Sequence, residues 1–243
     1  MCDLLDLLQR EPDGVSLVQA AEVAELPKSS AFRYLVTLEQ RGYVERDPQT
    51  GDYRLGLAFL PMQARQVEFL TRVAHPYLDA LQSEFGETSN LGLLDGHRVV
   101  YLDMVESPHT MRLVARRGDR DPMHSTALGK AIAAQLPETQ VRAILRAEGM
   151  PRHTSRTITT QREYLAHLAT VRDRGFALDD EENEVGARCV GVALSAGNLP
   201  LALSVAGPAA RLTLERVPLI AQRLQATAAE LAAELGVGPA TGA

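Results

Sequence analysis

The sequence has too few cysteines and too few apolar runs for a secreted or membrane-embedded protein. Its two cysteines, Cys2 and Cys189, do not make a disulfide framework, which fits a reducing cytoplasm. No segment approaches the roughly 18 uncharged apolar residues that a membrane helix requires. The leucines near the N-terminus are interleaved with Asp3, Asp6 and Gln9, so this stretch does not resemble a signal peptide. We therefore expect a cytoplasmic protein with no membrane partner.

Motifs for catalysis and for metal or dinucleotide binding are also missing. The sequence contains no Gly-x-Ser-x-Gly elbow and no glycine fingerprint within a βαβ pattern. Its six histidines are scattered, with no pair at the short spacing of metal ligands. We predict that the protein is not an enzyme and has no cofactor and no metal site. Two alternatives stay open: a hydrolase in which Asp179 joins His124-Ser125 and Lys130, and a metal-sensing regulator that uses Cys189 and histidines.

Two short helices with a break between them are predicted near the N-terminus. Ser16 can cap the first helix, whose apolar residues recur at helical spacing up to Ala24. Leu26-Pro27 breaks the pattern, because the residue before a proline is pushed out of the helical region, and proline suits the first position of the second helix. The inward stripe of that helix is Ala31, Leu35 and Leu38. Arg41-Gly42 closes the helix.

A short hairpin follows the two helices. Residues 43–46 and 53–55 are strand-like, and the stretch between them is rich in turn-forming residues. This order is typical of a winged helix-turn-helix, in which the second helix enters the major groove of DNA. The first turns of that helix present Lys28, Ser29, Ser30, Phe32 and Arg33 on the remaining surface. We predict that these residues bind DNA, although a helix pair that only packs together fits the same pattern.

The whole chain is acidic, but this segment is locally basic. The net charge is −6 at pH 7, whereas nucleic-acid-binding domains are often basic. Between Pro27 and Arg46, however, four basic residues stand against two acidic ones, a local balance of +2. We expect modest non-specific affinity and a shallow salt dependence of DNA binding. Specific binding would then rely on a few groove contacts and on two or more copies of the chain.

A long helical pattern covers residues 57–85. Its apolar residues recur at spacings of three and four. Pro61 is expected to bend the helix, and Pro76 to kink it again or to begin a new helix. One interpretation is a linker that packs on its own chain. We favour a dimer contact, because helix-turn-helix proteins usually bind paired half-sites about 34 Å apart.

From Gly86 onward the pattern becomes one of strands and helices. Asp95-Gly96 is a strong hairpin signal between two strands, and Thr160 can cap a helix that runs to Arg174. Strands are predicted at 88–94, 98–102, 111–115, 176–178, 189–195 and 201–206, and helices at 127–135, 137–147, 160–174 and 214–235. Six strands in hairpins with helices beside them indicate an antiparallel sheet covered by helices, in an α+β protein.

The stretch from Leu26 to Gly56 resembles the DNA-binding domain of the IclR family of bacterial transcription regulators. It has that family's leucine-proline pair, a lysine and two serines, an arginine at position 33, a glycine-tyrosine pair and a wing ending in leucine-glycine. Phe32 departs from the pattern, since a polar or smaller residue is frequent there. The family's first helix is usually longer and follows an arm, whereas Met1 falls within that helix here, as expected of a truncated start.

The second half of the chain resembles the same family in residues 123–131, 174–189 and 203–208. In the family this part is a GAF-like domain that binds a small-molecule effector, and its members dimerise through their N-terminal domains and often form tetramers. The resemblance implies an effector pocket formed by the backbone of Ala127 and Leu128 and the side chains of Asp179, Cys189 and Ser204. Ala206 stands where some relatives have a second serine, which argues against the small, polar acid that those relatives bind.

General chemistry permits such a pocket. Ligand sites are mostly apolar with a few placed polar groups, and the helix start near Gly129-Lys130 could supply N–H groups to an anionic ligand. Each side chain also has an ordinary structural interpretation. Asp179 could be a solvated charge or a cap, Cys189 a small core residue, and Ser204 a partner of its own backbone.

We therefore predict three parts: a winged helix-turn-helix domain at residues 1–56, linker and dimerisation helices at 57–85, and a GAF-like effector-binding domain at 86–238. The expected function is transcriptional regulation. The protein would bind double-stranded operator DNA as a homodimer or homotetramer and respond to a small-molecule effector, an organic acid or another metabolite. The metal-sensing regulator and the hydrolase remain the alternatives.

Overall fold

The computed structural model describes residues 2–197 and 199–236, and the chain divides after Glu68 into two units. The first unit contains α1 (Cys2–Arg10), α2 (Leu17–Val23), α3 (Lys28–Gln40), β1 (Val44–Arg46) and β2 (Tyr53–Leu55). The two strands pair antiparallel, so these elements form a winged helix-turn-helix. The predicted helix start at Ser16 is confirmed, because its side chain and that of Gln19 form a reciprocal capping box.

The core of the first unit lies between its helices and its hairpin. Leu4 and Leu8 of α1 meet Leu35 of α3, Val44 of β1 and Tyr53 of β2, and all five side chains are buried. The inward stripe predicted for α3 is likewise buried. Burial of one side of α3 leaves its other side free for a partner.

Two glycines bring the end of α3 close to the end of the hairpin. Gly42 has a φ of +71°, a left-handed conformation that L side chains rarely adopt. Gly56 lies against Gly42, and a Cβ added at Gly56 would overlap the Gly42 carbonyl oxygen. A side chain at position 42 would strain the backbone, and one at position 56 would clash, so each position requires glycine.

One helix, α4 (Phe59–Phe85), spans the point at which the two units divide. It continues through Pro76, so no new helix begins there, and the proline removes one backbone hydrogen bond. Within the second unit its buried residues recur at helical spacing: Leu70, Ala74, Leu78, Leu81 and Phe85.

The second unit is a six-stranded sheet with helices packed against it. Its strands are β3 (Thr88–Asp95), β4 (Arg98–Val105), β5 (Arg120–Pro122), β6 (Ala177–Asp180), β7 (Ala187–Ala196) and β8 (Leu199–Pro208). Its helices after α4 are α5 (Ala127–Gln135), α6 (Glu138–Glu148), α7 (Gln161–Arg174) and α8 (Val217–Glu234), the last preceded by a 3-10 turn at Leu214–Arg216. The strand order is β5-β4-β3-β8-β7-β6, and every neighbouring pair is antiparallel.

The strand predicted at residues 111–115 is wrong. This segment is irregular, and β5 takes the edge of the sheet instead. The carbonyl groups of residues 111 and 113 accept hydrogen bonds from side chains rather than from a neighbouring strand. Arg211 Nη2 donates to the Met111 oxygen at 2.8 Å, and Thr88 Oγ1 donates to the Leu113 oxygen at 2.8 Å. These long-range side-chain bonds override the local strand preference of an apolar stretch.

The two faces of the sheet serve different purposes. Ser89 faces α4, since its Oγ donates to the Leu78 oxygen at 2.7 Å. Successive side chains of a strand point to opposite faces, so Asn90 points the other way. On that side α5, α6 and α7 build a core that includes Leu128, Ile132, Ile144 and Leu168. Among the described residues, no helix combines the length and the apolar character needed to cross a membrane.

Candidate DNA-binding surface and effector cavity

The residues predicted to bind DNA lie at the start of α3. Lys28, Ser29, Phe32 and Arg33 are exposed, and Ser30 is half-buried. Side chains three and four positions apart are neighbours on a helix, and the four exposed residues are linked in this way: Lys28 to Phe32, Phe32 to Ser29, and Ser29 to Arg33. Phe32 is 43% exposed, which shows that it does not pack in the core. An exposed ring beside a lysine, a serine and an arginine fits contact with a nucleic acid.

The wing presents a second exposed surface, which the sequence identified only as a turn. Asp47 Oδ1 accepts the N–H groups of Gln49 at 2.7 Å and of Thr50 at 3.1 Å, and these bonds lower the pKa of Asp47. Arg46 is held by the Gly51 oxygen at 3.2 Å. Gln49 and Thr50 are exposed at the tip. The turn is therefore well ordered by its own side chains and presents polar groups outward.

The second unit contains a cavity of about 360 Å³ between the sheet, the start of α5 and residues 112–115. Four of the five residues predicted to contact an effector line it: Ala127, Leu128, Asp179 and Cys189. Ser204 does not. It is fully buried, and its Oγ accepts the Nδ2–H of Asn90 at 3.2 Å. Asn90 does line the cavity, so Ser204 lies behind it as a supporting side chain.

The start of α5 lines the cavity with residues whose backbone N–H groups are free. Thr126 caps the helix, since its Oγ1 accepts the Gly129 N–H at 3.1 Å. The N–H groups of Ala127 and Leu128 have no acceptor among the described residues, as is usual for the first turn of a helix. The start of α5 lies close against β7 at Gly191, where a Cβ would lie 2.7 Å from the Ala127 oxygen, so a residue without a side chain is needed there. These free N–H groups suit an oxygen atom of a ligand.

Asp179 is a buried carboxylate at the edge of the cavity, with 5% of its surface exposed. Its Oδ1 accepts the N–H groups of Glu182 at 2.8 Å and of Asn183 at 3.2 Å. Burial raises the pKa of Asp179 to about 6, against the opposing effect of the Lys130 ammonium group. Lys130 is itself fully buried and forms an ion pair of 2.5 Å with Glu182. A fixed network of charges therefore supports this wall of the cavity.

Cys189 lies beside Asp179 in the sheet register. Burial and the nearby Asp179 charge raise the pKa of the Cys189 thiol to about 12. The thiol is therefore uncharged at neutral pH. It can contact a ligand but is poorly suited to act as a nucleophile, which requires the thiolate.

Several residues that line the cavity were missed by sequence reasoning. Asn90 could have been found from the alternation of β3, once one of its faces was known to be the ligand side. Tyr101 and Asp121 also line the cavity, and the Tyr101 hydroxyl donates to Asp121 Oδ2 at 2.8 Å. Arg112 comes from the segment that was predicted to be a strand. Neither Asp121 nor Arg112 belongs to a sequence motif that would mark it.

The geometry does not support either alternative. Ser125 is buried, and its Oγ donates to Asn183 Oδ1 at 2.7 Å rather than to a base. The His124 ring bonds to the Pro151 oxygen at 3.0 Å through Nε2. A nucleophile needs a base within hydrogen-bond reach, and no such pair forms here. In the part of the chain that the structure describes, no group of three or more His, Cys, Asp or Glu side chains could hold a metal ion.

A winged helix-turn-helix followed by a sheet domain with a ligand-sized cavity defines a class of proteins, the DNA-binding regulators that carry an effector domain. Comparison with known proteins then gives the family. The model of the bacterial transcriptional regulator IclR C-terminal domain matches residues 63–233, and that of the IclR helix-turn-helix domain matches residues 2–48. The chain belongs to the IclR family of bacterial transcriptional regulators.

Individual relatives agree with this assignment. The transcriptional repressor IclR of Escherichia coli is 34% identical over 223 residues, covering 88% of this chain and 80% of that protein. The regulator BhcR of Paracoccus denitrificans is 33% identical over 241 residues, covering 98% and 85%. The crystal structure of the Thermotoga maritima IclR protein matches with a TM-score of 0.67 and 32% identity over 96% of each chain. These relatives are transcriptional regulators rather than enzymes, so the expectations on family, on α+β fold and on the absence of enzymatic activity are confirmed.

Proposed function

We propose that the chain binds operator DNA through the start of α3 and that a small molecule in the cavity changes this binding. The observation that carries the DNA-binding part is the exposed row of Lys28, Ser29, Phe32 and Arg33. None of the four side chains has a hydrogen bond or ion pair within the described residues, so all of them are available to DNA. The exposed tip of the wing, with Gln49 and Thr50, supplies further contacts to the phosphate backbone.

The protein acts as a homodimer or homotetramer in this proposal. Leu57, just before α4, is 69% exposed, and Leu60 and Met62, in the first turn of α4, are 57% and 54% exposed. Large apolar side chains exposed this close together are typical of an interface. A second copy would bury them and place two recognition helices on paired half-sites. We also place the protein in the cytoplasm, where bacterial DNA is found.

The effector acts by preferring one state of the protein. A ligand changes DNA binding only as far as its affinity differs between the DNA-binding and non-binding states. The free N–H groups of Ala127 and Leu128 and the carboxylate of Asp179 give the cavity both hydrogen-bond donors and an acceptor. The names of the relatives include a transcriptional repressor and an acetate operon repressor, which supports repression as the direction of control.

The DNA-binding part is tested with full-length protein and genomic DNA fragments. Fragments retained by the wild-type protein are footprinted, and their affinity is then measured for Arg33→Ala. We expect the variant to lose about 1–3 kcal/mol of specific binding while it keeps the wild-type unfolding temperature. Arg10→Ala is the control, because it removes an exposed arginine of the same unit on α1. Equal affinities for Arg33→Ala and wild type would contradict the assignment of the recognition surface.

A further inference from the structure

The lining of the cavity is acidic. Among the described residues that form it, four side chains are carboxylates and one is a guanidinium: Asp119, Asp121, Asp179, Glu184 and Arg112. The guanidinium is already paired, since Arg112 Nε donates to Glu106 Oε2 at 2.8 Å. A ligand that enters the cavity therefore meets an excess of negative charge. A dicarboxylate ligand would be repelled by these side chains.

Two of these carboxylates act on the same side chains inside the cavity. Tyr101 and Cys189 have pKa values raised first by burial and then by the negative charges of both Asp121 and Asp179. Asp121 reaches the Tyr101 hydroxyl at 2.8 Å, and Asp179 is the register partner of Cys189. Both carboxylates line the cavity, which they reach from opposite edges of the sheet.

An unsatisfied acceptor lies in the same wall. Asn90 is 3% exposed, and its Nδ2 donates to Ser204 Oγ at 3.2 Å, but its Oδ1 has no hydrogen-bond partner. A buried polar atom without a partner costs free energy, and native proteins usually satisfy such an atom. Because Asn90 lines the cavity, a hydrogen-bond donor on a ligand would satisfy it.

We propose that the effector carries a protonated amino group, bound by the cavity-lining side chains of Asn90, Asp121 and Asp179, and an oxygen acceptor at the start of α5. An ammonium group supplies both the positive charge and the donors that this wall lacks. The oxygen acceptor takes the free N–H groups of Ala127 and Leu128. This inference rests on the proposed role of the second unit as an effector domain and names the chemical class of the effector.

The test compares probes that differ only at one end. The first set is 5-aminovalerate, 5-hydroxyvalerate, glutarate and pentylamine; the second is 4-(aminomethyl)benzoate, 4-(hydroxymethyl)benzoate and terephthalate. Binding to the full-length protein is measured by calorimetry up to millimolar concentrations. We expect an amino acid of at least one set to bind about tenfold or more tightly than its hydroxyl and dicarboxylate counterparts, because it alone pairs a cation with the carboxylates. Pentylamine, which has no oxygen, should bind more weakly than 5-aminovalerate.

Substitutions in the cavity lining test whether the preference for amine probes arises there. Asp121→Asn and Asp179→Asn should each reduce the preference for the amine over the hydroxyl probe. Asp173→Asn, which removes an exposed carboxylate on α7, should leave it unchanged. The preference should also grow as pH rises from 5 to 7.5, since Asp179 ionises with a pKa of about 6. The charged or titratable groups coupled to Asp179 are Lys130 of α5, Glu182 after β6, Cys189 of β7 and Tyr101 of β4.

The outcomes separate this inference from the proposed function. A dicarboxylate or hydroxyl probe that binds as tightly as the amine, or no binding by any amine probe, would overturn the assignment of the ligand class. If such a probe still alters operator binding, the effector-domain role stands without the amine. A protein that binds the amines but no genomic DNA would instead contradict the proposed function.

Discussion

The DNA-binding surface and the cavity use their polar side chains in opposite ways. On α3, Lys28, Ser29 and Arg33 are exposed and make no polar side-chain contacts within the described residues. At the cavity, the lining residue Asp179 and the nearby Lys130 are buried, and each has several polar contacts. Exposed groups can be changed with little effect on folding, whereas buried charges are part of the fold. The difference predicts which variants alter function alone and which alter stability as well.

The largest effect is expected from Lys130→Met. This change leaves the buried Glu182 carboxylate without the ammonium group that pairs with it at 2.5 Å. Removing one partner of a buried ion pair costs about 3–5 kcal/mol. We therefore expect a large loss of stability in the second unit, measured by calorimetric unfolding of the full chain.

A second variant separates the charge from the packing. The double variant Lys130→Met/Glu182→Gln removes both charges, so it should recover a large part of the stability that the single variant loses. If the double variant were as unstable as the single one, the loss would come from packing rather than from an unpaired carboxylate.

A smaller effect, of opposite sign, is expected from Asp179→Asn. Burial in the folded protein raises the pKa of Asp179 to about 6, above its ordinary value of 3.8, so the ionised form is disfavoured in the fold. Stability linked to this group is complete below the unfolded pKa and is lost as pH rises through about 6. At pH 7.5 the asparagine variant should therefore be more stable than wild type, by up to about 2–3 kcal/mol.

The pH dependence identifies the source of that gain. The advantage of Asp179→Asn should disappear near pH 4, where the wild-type carboxyl group is protonated in the folded state. Asp173→Asn serves as the exposed control and should show no such trend. A gain in stability together with a weaker response to the effector would show that the carboxylate is retained for binding at the expense of stability. An Asp179→Asn variant that is less stable than wild type at pH 7.5 would contradict this account.

The first unit could be predicted closely because its signals are local. Ser16 caps α2, Pro27 precedes α3 and Gly42 follows it, all within a few residues of the elements that they define. The cavity depends on contacts between residues far apart in the chain. Asn90 meets Ser204, and Lys130 meets Glu182, and no local pattern specifies either pair. The error at residues 111–115 has the same origin, because distant side chains decide the course of that segment.

The smallest effect on stability is expected from a change at Phe32, an apolar side chain that lies on the exposed surface of α3. An apolar ring on a helix could belong to the core, but Phe32 is 43% exposed and shares its surface with Lys28 and Arg33. Phe32→Ala should change the free energy of unfolding by less than about 0.5 kcal/mol, as surface substitutions usually do. Leu35→Ala is the matched control on the same helix. Because Leu35 is fully buried, its truncation should cost about 2–5 kcal/mol.

The same pair of variants also distinguishes the two roles of α3. At a temperature where both variants are folded, Phe32→Ala should weaken binding to the footprinted DNA fragments, because the ring lies among the groups that face DNA in our proposal. Leu35→Ala should bind the same fragments with nearly wild-type affinity, since its side chain points away from that surface. If Phe32→Ala lowered stability as much as Leu35→Ala while DNA affinity stayed constant, the ring would be a packing residue, and the DNA-binding surface would be reduced to its polar members.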